Sequence, residues 1–113
     1  MKSKPPKAYT QFTRNYPKLE QAWGLIHEAG AEGPLDSKTV RLVKLGITIG
    51  AMREGAIHSN VRKAHDEGIT ASEIDQVVSL AAGTLGLPST VAVFTWIRDR
   101  LPVAKRKPSR SRT

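Results

Sequence analysis

"KTVRLVKLGITIGAM", residues 38–52, is the segment on which the fold turns. Its Ile and Val content also suits a pair of strands. Two features favour a helix. The run is long for a strand, and Asp36 or Ser37 stands just before it as an N-terminal cap. Val40, Val43 and Ile47 with Leu42, Leu45 and Ile49 then cover most of the circumference. A helix apolar on so many sides belongs at the centre of a core or at a subunit interface. Gly46 and Gly50 are poor helix formers, tolerable where another helix approaches closely.

Outward from this segment the helical signals continue. Upstream, "NYPKLEQAWGLIHEAG" places Pro17 in a first turn and Leu19, Ala22, Trp23 and Ile26 on one face. "GAEGPLD" breaks that helix. Downstream, "REGAIHSNVRKAHDEG", residues 53–68, puts Ala56, Ile57, Val61 and Ala64 inward and stops at Gly68. Thr70 and Glu73 then form a capping box that opens a helix with Ile74, Val77, Val78 and Ala81 inward. Gly86 and Pro88 are expected to stop it. Ser89 is expected to cap a last helix whose stripe is Val93, Phe94, Ile97 and Leu101. The reading is all-α, a compact helical domain of about five helices with short connections.

Length bounds the organisation. A chain of 113 residues is one domain. Residues 1–10 read as a basic arm, 11–102 as the helical domain and 103–113 as a basic tail. A domain this short buries a limited core, which makes self-association plausible. The net charge of +8 belongs to the ends: residues 8–104 hold ten basic and ten acidic groups. Short basic ends contact phosphate without specificity, so nucleic acid is not the expected partner. No run approaches the roughly 18 apolar residues of a membrane span, and no secretory signal is visible. A cytoplasmic protein is expected. The absence of cysteine excludes thiolate chemistry within this chain.

The polar helix carries the candidate chemistry. Glu54 and His58 are four residues apart, so their side chains meet. A carboxylate beside an imidazole orients the ring and raises its pKa, an arrangement suited to acid/base work. The same spacing also makes plain surface pairs. Arg62, one turn on, can hold an anionic substrate, and Arg53 and Lys63 add positive charge. His65, beside Asp66 and Glu67, reads as structural, and His27 as exposed or capping. These histidines are poorly spaced for a metal, so neither metal nor cofactor is expected. Trp23 and Trp96 read as core or subunit contacts.

In order, "KTVRLVKLGITIGA", "REGAIHSNVRKAHDEGIT" and "ASEIDQVVSLAAGTLGLPSTVAVF" resemble the carboxymuconolactone decarboxylase-like superfamily, which includes alkylhydroperoxidase D. The resemblance implies an all-α homo-oligomer, commonly a trimer or hexamer. It makes residues 53–68 the active-site helix. The thiol branch carries two cysteines and a histidine on that helix and a glutamate on the preceding one. With Gly68 and Arg62 in register, these fall on Arg53, Ala56, Asn60 and Arg41. All four differ, and a peroxidase mechanism needs a thiolate. The decarboxylase branch uses no cysteine, but it too has a histidine at the Asn60 position. His58 lies about 200° around the helix from Asn60 and so occupies another face. The expectation is therefore a thiol-free enzyme of lyase or isomerase type acting on a small carboxylate or lactone-like substrate. In it His58 is the acid/base, Glu54 orients it, and Arg62, Arg53 and Asn60 bind substrate. The alternative is a non-catalytic oligomeric scaffold or ligand-binding member.

Overall fold

A computed structural model describes residues 7–100, all of whose elements are helices. They are α1 (Lys7–Asn15), α2 (Pro17–Ala31), α3 (Ser37–Gly50), α4 (Glu54–Asp66), α5 (Ala71–Leu85) and α6 (Leu87–Arg100). The rest of the N-terminal arm, Leu101 and the basic tail lie outside the described residues.

The helical reading of 38–52 holds, and its cap is Asp36, whose carboxylate accepts from the Thr39 N–H at 2.7 Å. Two helices end in the same way. At the end of α4 the Ile69 N–H reaches Ala64 O at 3.0 Å and the Gly68 N–H reaches His65 O at 3.1 Å. Gly68 sits at φ 85°, the left-handed position this motif requires. At the end of α3 the matching bonds run from Arg53 to Thr48 and from Met52 to Ile49. There the left-handed residue is Met52, at φ 56°. A side chain costs about 1–2 kcal/mol in that conformation. Packing of Met52 against the core offsets the cost and fixes the turn into α4.

The core lies among α3, α4, α5 and α6. Leu45, Ile49, Ile57, Val61, Ala64, Ile74, Val93 and Ile97 are fully buried in it. Of the inward stripe expected for α4, Ile57, Val61 and Ala64 are buried, whereas Ala56 is only partly buried and lines a cavity between α2, α3 and α4. α3 divides its apolar surface: Leu45 and Ile49 are inside, whereas Val43 and Ile47 remain exposed. Gly46 faces α5, yet an added Cβ would meet only Val77 Cγ1 at 3.8 Å, so close approach does not demand glycine there.

Three expectations change. A sixth helix, α1, begins within the residues that read as the N-terminal arm and runs to Asn15. Tyr16 separates it from α2, because Pro17 removes its preceding residue from helical geometry. The α2 stripe is not buried: no residue of α2 is, and Leu19, Trp23 and Ile26 are about half exposed or more. Finally, Gly86, at φ 84°, ends α5, but Pro88 falls in the first turn of α6 instead of before it, and Ser89 lies within the helix. Proline is tolerated in a first turn because its missing N–H has no helical partner to lose.

The capping box is present in full. Thr70 Oγ1 accepts from the Glu73 N–H at 3.1 Å, and the Thr70 N–H donates to Glu73 Oε1 at 2.9 Å. Thr70→Ala is expected to lower stability by about 1 kcal/mol in urea denaturation. An unchanged midpoint would show that this cap contributes nothing to α5.

Candidate functional site

The residues that the core does not use on α4 form a second stripe. Ala56, Asn60 and Lys63, with Glu67 at the C-cap, follow one another at three- and four-residue spacing, about 100° around the axis from Ile57, Val61 and Ala64. α3 faces this stripe with Arg41, Lys44 and Thr48, again at helical spacing. α2 stands opposite with Glu20, Trp23 and His27, and α1 adds Tyr9. Between them lies a half-open cavity of about 1090 Å³.

Arg41 organises the α3–α4 wall. Its Nε and Nη2 donate to the two carboxylate oxygens of Glu67, each at 3.2 Å. Its Nη1 donates to Asn60 Oδ1 at 2.7 Å. Asn60 Nδ2 in turn donates to Ala56 O at 3.0 Å, which holds the amide in one orientation. The register that puts Arg41 and Asn60 at the resemblance's glutamate and histidine positions therefore places them in direct contact. A guanidinium and an amide form no acid/base couple, so this pair transfers no proton.

The charged residues of the lining carry a small cationic excess. Lys44, Arg62 and Lys63 join Arg41, against the acids Glu20, Asp66 and Glu67. Arg62 Nε is buried without a hydrogen-bond partner. Lys63 is held below the usual lysine pKa, chiefly by burial and then by Arg41, Arg62 and Lys44; Glu67 acts in the opposite direction. His27 is also lowered, first by burial and then by Lys44, Lys63 and Arg41. Its Nδ1 lies 3.5 Å from Lys44 Nζ, a geometry in which a neutral ring accepts from the ammonium. Trp23 meets the His27 ring edge-on, with centroids 4.9 Å apart. His27 is thus part of the cavity wall, and of the two readings of Trp23, core or subunit contact, the core one gives way: Trp23 is a partly exposed wall of the cavity.

The expected site residues divide. Arg62 and Asn60 line the cavity. Glu54 and His58 do meet, with Oε2 and Nε2 3.5 Å apart, and the His58 side chain is only 18% exposed. Neither lines the cavity, and neither does Arg53, which is exposed at the N-cap of α4. Sequence reasoning passed over Lys44, read His27 as exposed or capping, gave Lys63 only the role of added positive charge, and gave Arg41 none. The available signal was the pair of stripes, Arg41–Lys44–Thr48 and Ala56–Asn60–Lys63–Glu67.

Residues 17–99 match the sequence model of the carboxymuconolactone decarboxylase family. No curated protein and no solved structure matches the chain. Among the described residues, no helix is long and apolar enough to cross a membrane.

Proposed function

Since the chain belongs to the carboxymuconolactone decarboxylase family, we propose that it holds a small carboxylate in the α2–α3–α4 cavity and acts on it by acid/base chemistry without a thiol. The observation that carries this reading is Arg62. Its Nε is buried with no partner, and the residue lines the cavity together with Lys44 and Lys63. An unsatisfied buried donor is costly, and an anion supplies the missing acceptor. Trp23 and Ile47 offer apolar surface to the body of such a ligand. His27 and Lys63 are the proton-transfer groups, since burial and neighbouring cations favour their neutral forms. The working form is a homo-oligomer, trimer or hexamer, in which a second copy covers the exposed apolar residues of α2.

Titration calorimetry with pyruvate tests the seat. Arg62→Gln is expected to weaken binding about 10–100-fold, the loss of one charge-assisted hydrogen bond. Equal affinity in the variant, or no binding by the parent protein at millimolar pyruvate, would overturn the reading.

A second reading rests on the Glu54–His58 contact, whose imidazole is largely covered. There the pair performs the acid/base step from its own side of α4. It predicts that His58→Ala abolishes turnover while leaving carboxylate affinity in the cavity intact. A third, ligand binding without turnover, keeps the Arg62 seat and predicts binding with no product from any carboxylate bound.

A further inference from the structure

The face of α4 on which the resemblance places thiols still carries a nucleophile, an amine. Lys63 follows Ala56 and Asn60 along one stripe and lines the same cavity. Among the described residues it makes no ion pair and no side-chain hydrogen bond. The one carboxylate that acts on it, Glu67, already gives both oxygens to Arg41. Arg62 is the preceding residue on the helix, and its Nε has no hydrogen-bond partner.

We propose that Lys63 Nζ forms an imine with a small carboxylate that also bears a ketone or aldehyde, a 2-oxo acid being the simplest. This rests on the carboxylate seat at Arg62 argued above. The neutral amine is the reactive form, and burial together with Arg41, Arg62 and Lys44 favours it. The Nζ lone pair attacks the carbonyl carbon, the C=O π pair moves to oxygen, and a proton passes from the nitrogen to that oxygen to give the carbinolamine. The carbinolamine then expels its hydroxyl, with one further proton, as water while nitrogen forms the C=N bond. Amine, carbonyl compound and one proton give an iminium ion and water, with no change of oxidation state. The iminium withdraws electrons from the adjacent carbon, which is what removal of a proton beside a carbonyl requires.

The test is reductive trapping of the intact protein with pyruvate and sodium cyanoborohydride, followed by peptide mass mapping. Cyanoborohydride delivers hydride to the iminium carbon and fixes one adduct per site. Lys63 is expected to take the first adduct, ahead of Lys18, an exposed lysine on α2. Lys63→Gln, with unchanged circular dichroism, is expected to abolish the first adduct, and Lys18→Gln to leave it. Arg62→Gln is expected to slow labelling by pyruvate and spare labelling by propanal, which has no carboxylate. Labelling spread evenly over the lysines overturns the imine. Calorimetric binding of pyruvate without a Lys63 adduct also overturns it, while the carboxylate seat stands. Equal labelling by propanal and pyruvate, insensitive to Arg62→Gln, supports the imine and overturns the seat.

Discussion

Ile57→Ala is expected to lower folding stability by about 2–5 kcal/mol in urea denaturation. Ile57 is fully buried within the cluster that joins α3, α4, α5 and α6. Truncation removes its transfer free energy and leaves a void that the surrounding Leu45, Val61, Ile97 and their neighbours fill only in part. A domain of this size has about 5–15 kcal/mol in total, so one substitution takes a large share. The consequence reaches the cavity, because Ile57 anchors the helix whose other face carries Ala56, Asn60 and Lys63. Leu80→Ala provides the contrast. Leu80 is 72% exposed, and its truncation is expected to stay within about 0.5 kcal/mol in dilute solution. Equal costs at the two positions would mean that α4 is not seated on the core through Ile57.

What was legible in the sequence was local or periodic. The Asp36 cap, the Thr70–Glu73 box and the Gly68 terminator each need only residues three to six apart. The inward stripe of α4 follows from the 3.6-residue repeat alone. The Glu54–His58 contact was legible for the same reason, since four residues make one turn. Which way that pair looks was not, because the cavity is made by α2 and α3, elements far away in the chain. The angular offset of His58 from Asn60 already pointed to a different face. The identity of the wall needed α3 and α4 to be paired, which sets Arg41 against Asn60 and Glu67. The unburied face of α2 has no sequence signature either, since amphipathic spacing looks the same whether or not the core reaches it.

Removing the Glu67 carboxylate is expected to cost more than removing its partner. The Arg41 side chain is 14% exposed and that of Glu67 is 43% exposed. Glu67→Gln strands a nearly buried cation among Lys44, Arg62 and Lys63, whereas Arg41→Ala leaves a carboxylate that water reaches. Breaking a fully buried pair costs about 3–5 kcal/mol; discounted for the exposure of Glu67, Glu67→Gln should cost about 2–3 kcal/mol. Arg41→Ala should cost about 1 kcal/mol by the same reasoning. Adding Arg41→Met to Glu67→Gln removes the stranded charge and should restore most of the loss, which a double-mutant cycle reads directly. The loss should also depend on pH in one direction. Glu67 is the group that raises the Lys63 pKa, so without it Lys63 falls further below 10.5 in the folded protein. Between that lower value and 10.5 the unfolded chain binds more protons than the folded one, and stability rises with pH. The deficit of Glu67→Gln relative to the parent is therefore present in full below that lower value. It should shrink as pH rises through that window, because Lys63 becomes neutral and the repulsion it feels disappears. A deficit that is constant with pH would show that Glu67 acts on Arg41 alone and leaves the amine of Lys63 untouched.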